Sequence, residues 1–179
     1  MKVCVIGVGG LGANVALALA ECGYELTLVD FDVVDEKFLR RFIPTRFSPI
    51  KMFLMGRKKV DVVREFLGRE FEIDARVFNK KFEEVHEEVD ADFYVIAVDY
   101  ARVRRAIESI LRKKGAKFIH VGVNEGSVSV FETIFDDTII DGEIPDRDTS
   151  YDREPRIADY MAAVGAILEK IGEVRRWEG

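Results

Sequence analysis

Short apolar runs alternate along the chain with segments whose apolar residues recur every three or four positions. Residues 2–6 (KVCVI) have the length and composition of a strand buried on both faces. A helix is predicted from about Leu11 to Cys22, with Gly23 as its stop. Residues 25–30 (ELTLVD) read as the second strand. The segment 33–55 contains Pro44 and Pro49 and reads as irregular. It is apolar for a loop, with Phe38, Phe42, Phe47, Ile50, Met52, Phe53, Leu54 and Met55. Such a stretch implies a dimer interface, a docking surface for a small protein, or folding back onto the core. Residues 57–67 pattern as a helix with Val60, Val63 and Leu67 on one face, and 71–78 (FEIDARVF) alternate as a strand. A short acidic helix over 80–89 leads to a strand at 92–98 (DFYVIAV), a helix over 101–113 and a strand at 117–123 (KFIHVGV). Residues 127–135 (SVSVFETIF) alternate as a half-exposed antiparallel strand. An acidic loop, 136–154, precedes a last helix from about Arg156 to Arg175.

This rhythm predicts an α/β fold: a Rossmann-like, doubly wound, mostly parallel sheet with helices on both faces and an antiparallel strand near the C-terminus. With 179 residues and no linker, repeat or low-complexity tract, one nucleotide-binding domain over 1–179 is expected. The net charge of −6 argues against broad nucleic-acid binding, which needs a basic face. No apolar run approaches the roughly 18–20 residues that span a bilayer, and no signal-peptide layout opens the chain, so no membrane partner and a cytoplasmic location are expected. The two cysteines, Cys4 and Cys22, read as small buried residues rather than a disulfide or a metal pair.

The chemistry concentrates after the first strand. Gly7, Gly9 and Gly12 satisfy G-x-G-x-x-G between a strand and a helix. Gly7 permits a tight turn, Gly9 lets backbone approach phosphates, and Gly12 allows close packing of helix on strand. The helix N-terminus then offers N–H groups and a positive dipole end to an anion. Asp30, ending the second strand, stands where an acid bonds a ribose hydroxyl. These residues suit NAD as well as ATP. Asp32, Arg41, Lys59 and Asp99 follow, and two cations with added carboxylates fit phosphoryl or adenylyl transfer better than hydride handling. Arg41 and Lys59 also read as surface cations, Asp99 as a cap for the helix near Arg102, and Asp32 as an acidic loop residue.

In order and spacing, Gly7-Val8-Gly9-Gly10-Leu11-Gly12, Asp30-Phe31-Asp32, Leu39 with Arg41, Gly56 with Lys59, and Asp99 resemble the ThiF/MoeB/HesA superfamily, which includes the adenylation domains of ubiquitin-activating enzymes. HVGVNEGSVSVF (120–131) and PRIADYMAAVGAILEKI (155–171) resemble the later strand and closing helix of that family. The resemblance implies ATP with Mg²⁺, a ubiquitin-like sulfur-carrier protein ending in Gly-Gly, adenylation of its terminal carboxylate with release of pyrophosphate, and a homodimer. It implies that Gly7, Gly9, Gly10, Leu11, Gly12, Asp30 and Asp32 bind nucleotide. Asp30 would hold the ribose, Arg41 and Lys59 the phosphates, and Asp99 the Mg²⁺ or the transferred group.

The chain also departs from that pattern. Phe38 stands at the asparagine position and Phe42 at the glutamine position of the family, and neither side chain hydrogen-bonds. Tyr100 follows Asp99 where the family has asparagine. The family arginine that reaches a neighbouring subunit lacks a counterpart unless Arg40, Arg46 or Arg57 replaces it. Without C-x-x-C pairs no zinc site is expected, and without a cysteine after Cys22 no downstream thioester or persulfide is expected. The changes leave open a minimal adenylating enzyme, a nucleotide-binding relative without adenylation, and a small NAD(P)-dependent oxidoreductase or sensor. His86 reads as solvated and His120 as a core or supporting residue, so neither supports a catalytic triad. The acidic loop lacks EF-hand spacing and reads as solvated or as a cover over the site.

Overall fold

The computed structural model describes residues 1–177 except Phe47, Ile50, Glu125, Gly126 and 133–154. Six strands form one sheet: β1 (Lys2–Ile6), β2 (Glu25–Val29), β3 (Arg76–Phe78), β4 (Phe93–Ile96), β5 (Lys117–Asn124) and β6 (Ser127–Phe131). Their spatial order is β3-β2-β1-β4-β5-β6. All neighbours run parallel except β5 and β6, which pair antiparallel from Asn124 opposite Ser127 to His120 opposite Phe131. The chain moves outward from β1 through β2 to β3, then returns to place β4 on the other side of β1. That reversal opens a crevice at the carboxyl ends of β1 and β4, where α/β sheets bind ligands.

The alternation of side chains along β1, β2 and β4 feeds two cores. On one face Val3, Val5, Leu26, Leu28 and Val95 pack under α1 (Gly10–Glu21), α4 (Lys59–Phe71) and α7 (Ile157–Trp177). On the other, Cys4, Ile6, Val29, Tyr94 and Ile96 pack under α5 (Phe82–Val85) and α6 (Ala101–Lys113). The expected doubly wound sheet is therefore present, and among the described residues β6 is the one antiparallel strand, at the C-terminal edge.

Several element boundaries differ from the sequence reading. The segment 33–55 is not irregular throughout: it holds α2 (Glu36–Arg41), α3 (Ile43–Arg46) and a 3-10 turn (Lys51–Leu54). Asp35 caps α2 by accepting the Phe38 N–H at 2.7 Å. The apolar stretch divides. Phe38, Leu39 and Phe42 are core residues, whereas Met52 and Phe53 face solvent; Phe47 and Ile50 lie outside the described residues. Helix α4 continues to Phe71, through the start of the predicted strand 71–78, because Glu72 ends it in the left-handed conformation (φ 58°). Only Arg76–Phe78 remain as strand. The acidic helix expected over 80–89 is one turn long. Cys22 is exposed rather than buried, since it follows the last helical residue at the turn into Gly23. His86 is partly buried against Phe82, not fully solvated. The acidic loop 136–154 lies outside the described residues.

Candidate functional site

The glycine turn is built by contacts that only glycine permits. Gly7 has φ +88°, and a Cβ there would lie 2.8 Å from the Val98 side chain and 2.9 Å from the Ala97 backbone. A Cβ on Gly12 would lie 1.9 Å from the Gly7 carbonyl oxygen. A Cβ on Gly10 would meet Arg41 Cβ at 2.5 Å and the Tyr160 hydroxyl at 3.2 Å. Gly9 differs, because nothing lies within 4 Å of where its Cβ would be. That open side faces a cavity of about 540 Å³. The first hydrogen bond of α1 runs from Ala13 N–H to the Gly9 carbonyl at 2.9 Å, so the N–H groups before Ala13 point out of the helix end.

Asp30 joins the glycine turn to the end of β2. Its Oδ2 accepts Val8 N–H at 2.6 Å and its Oδ1 accepts Asp32 N–H at 2.7 Å. Each oxygen keeps a further lone pair for a hydroxyl group. Burial pushes the Asp30 carboxyl above the ordinary carboxylate range, while the nearby Lys59 ammonium and the two N–H bonds pull it back. Lys59 is itself buried and donates through Nζ to Asp32 Oδ2 at 2.9 Å. The chain reaches this arrangement by closing the excursion between them. Val33 pairs antiparallel with Lys58, Val34 N–H bonds Arg57 O at 2.7 Å, and Lys59 N–H bonds Asp32 O at 3.1 Å.

Arg41, the last residue of α2, lies across the start of α1. Asn14, buried on α1, reaches it through backbone. The Asn14 amide donates to Gly10 O at 2.6 Å and Arg41 O at 2.9 Å and accepts from Ile43 N–H at 3.0 Å. Across the crevice Asp99 follows β4. Tyr100, not Asp99, is the N-cap residue of α6. Arg104 of α6 donates to Val121 O at 2.6 Å and lines the same cavity. Gly7, Gly9, Gly10, Leu11, Asp30, Asp32, Arg41, Lys59 and Asp99 all line that cavity, and Gly12 lies behind it against Gly7. Phe38 also lines it and turns an apolar ring where the family motif has an amide. Asn14, Arg104 and Tyr160 are additions that the motif spacing did not reveal. The signal for Asn14 was a polar residue inside the apolar run LGANVALALA.

Behind the cavity wall, His120 Nε2 lies 2.9 Å from Glu108 Oε2, and both side chains are fully buried. Arg112 Nε donates to the other Glu108 oxygen at 2.8 Å. Burial, reinforced by the Arg104 charge and opposed by the Glu108 hydrogen bond, lowers the His120 imidazole to about 4. His120 is thus neutral and part of the core. Among the described residues no cluster of three or more His, Cys, Asp or Glu side chains could hold a metal ion, and no helix is long and apolar enough to cross a membrane.

The ThiF family model matches residues 1–166. The chain belongs to the ThiF family. Among solved structures, this ThiF-family chain is similar to E. coli MccB with succinimide, at 25% identity over 69% of this chain and 37% of that one, with a TM-score of 0.60. MccB with N-formylated MccA, described as the microcin C7 biosynthetic enzyme, matches at 25% identity over 68% and 36%, with a TM-score of 0.58. PaaA shares the fold at 23% identity over 95% of this chain and 54% of its own, with a TM-score of 0.70. The chain therefore spans roughly a third to a half of the proteins it resembles. A search of curated protein sequences found no match.

Proposed function

We propose that the chain is an ATP-dependent adenylyltransferase that activates the C-terminal glycine carboxylate of a ubiquitin-like sulfur-carrier protein, working as a homodimer in the cytoplasm. The observation that carries this reading is the convergence of Arg41, Lys59, Asp30, Asp32 and Asp99 on one cavity above the N-terminus of α1. Membership of the ThiF family supports the same reaction.

The residues suit the steps required. Asp30 has spare lone pairs for the ribose hydroxyls. The open face at Gly9 and the N–H groups of the helix end would take phosphate oxygens, and Arg41 and Lys59 supply the positive charge beside them. A carboxylate oxygen of the carrier attacks the α-phosphorus, the bond from that phosphorus to the bridging oxygen breaks, and pyrophosphate leaves. No proton has to move, so positioning and cations are enough and no general base is needed. Asp99 would hold Mg²⁺ together with the nucleotide's own oxygens, as Mg²⁺ sites commonly require only one or two carboxylates. Bound there, Mg²⁺ would neutralise charge on the departing pyrophosphate.

Phe38 favours a second reading, a nucleotide-binding relative without adenylation, because its buried ring lines the cavity and offers no hydrogen bond. ATP–pyrophosphate exchange separates the two. Exchange that depends on an added ubiquitin-like protein ending in Gly-Gly, and that is lost in Lys59→Ala and Asp99→Ala, supports adenylation. ATP binding with no exchange in the presence of such carriers supports the second reading. Titration with MccA, with which MccB was crystallised, tests whether another acceptor replaces the carrier.

A further inference from the structure

We infer that Asn14 is a positioning residue that sets Arg41 over the N-terminus of α1 for phosphate binding. This rests on the reading that the cavity holds ATP. Asn14 is buried in α1, a helix whose other inward residues are apolar or glycine, so its amide needs partners. It finds three backbone groups, one each in α1, α2 and α3. One donor goes to Gly10 O in its own helix, as a residue four positions on can reach. The other goes to Arg41 O, and Ile43 N–H is accepted on the amide oxygen. Arg41 and Ile43 flank Phe42, where α2 ends and α3 begins.

Only an amide satisfies this set, because two carbonyl oxygens require two donors and one N–H requires an acceptor. Serine, aspartate and alanine each remove the side-chain bond to at least one of these part-buried backbone groups. Gly10 completes the arrangement from the other side. With a Cβ contact of 2.5 Å to Arg41 Cβ, any side chain at position 10 would push Arg41 away from the helix end. Asn14 pulls the Arg41 backbone in and Gly10 leaves room for it. The guanidinium and the helix N–H groups are thereby held on one anion, where each charge-assisted bond is strongest if its geometry is fixed in advance.

A double-mutant cycle on ATP and adenosine binding tests this. Asn14→Ala is expected to weaken ATP about tenfold, the scale of one lost charged hydrogen bond, and to leave adenosine within about twofold. In an Arg41→Ala background the same change should shift ATP affinity by no more than about twofold, since the two effects share one contact. If Asn14→Ala does not fold, the isosteric Asn14→Asp carries the same cycle at alkaline pH, where its carboxylate would face the two carbonyl oxygens. Equal losses for ATP and adenosine, or an undiminished Asn14 effect without Arg41, would overturn the inference. A native chain that binds no ATP ends the adenylation reading and this one with it; ATP binding with additive losses ends this one alone.

Discussion

Gly9 and Gly12 stand three residues apart in one turn, yet their substitution has opposite consequences. Alanine at Gly12 meets the Gly7 carbonyl at 1.9 Å, a backbone atom that cannot swing aside. Its expected cost is about 3 kcal/mol or more, read as a shift in the urea midpoint. Alanine at Gly9 meets nothing and fits the extended backbone there (φ −76°). It should cost stability within about 1 kcal/mol while filling the space that a phosphate would occupy, so nucleotide affinity falls and the midpoint barely moves. His120 gives a second test at this scale. Its folded value of about 4 lies below the ordinary 6.5, so between these pH values the unfolded chain takes up a proton that the folded chain refuses. Stability is whole above pH 6.5 and falls as pH drops through that window. Urea unfolding across the window should show the slope, and His120→Asn should flatten it. The glycines, Asp30, Arg41, Lys59 and Asp99 were legible in the sequence because their types and spacing repeat a motif. Asn14 was not, because its partners lie 27 and 29 residues away and are backbone atoms.

At the scale of elements, α2 decides whether Arg41 reaches the cavity, and aromatic packing decides where α2 sits. Phe42 is fully buried, with its ring 5.3 Å from Phe38 and 5.3 Å from Phe66 of α4 in an edge-on arrangement. The two phenylalanines that stand where the family motif has polar groups are thus anchors for the helix that carries Arg41. Phe42→Ala should destabilise the chain by about 3–5 kcal/mol, measured by denaturant unfolding. Phe42→Leu should recover most of that loss. The sequence showed that residues 38–55 were too apolar for an ordinary loop but not which of them turned inward. The Asp35 cap that starts α2 lies in a stretch that contains prolines and lacks a long helical period. The boundary between α4 and β3 was hidden for a different reason. FEIDARVF alternates like a strand, and the left-handed Glu72 that ends the helix is a conformation a non-glycine residue rarely takes.

At the scale of the molecule, the strand order β3-β2-β1-β4-β5-β6 brings residues from positions 6 to 160 around one crevice. The alternation of apolar runs and helical periods was enough to foresee that sheet, since buried parallel strands are nearly uniform in composition and hard to confuse with amphipathic helices. The convergence of Asp30, Arg41, Lys59 and Asp99 follows from the sheet's reversal, not from any one motif. The same sheet would serve a dinucleotide, and what favours ATP is the pair of cations, Arg41 and Lys59, lining the cavity. Calorimetric titration of the intact chain with ATP·Mg²⁺ and, separately, with NAD tests that claim most directly. ATP is expected to bind, Arg41→Ala and Lys59→Ala each to weaken it by about tenfold or more, and NAD to bind more weakly than ATP. Tight NAD binding with no measurable ATP binding would contradict it.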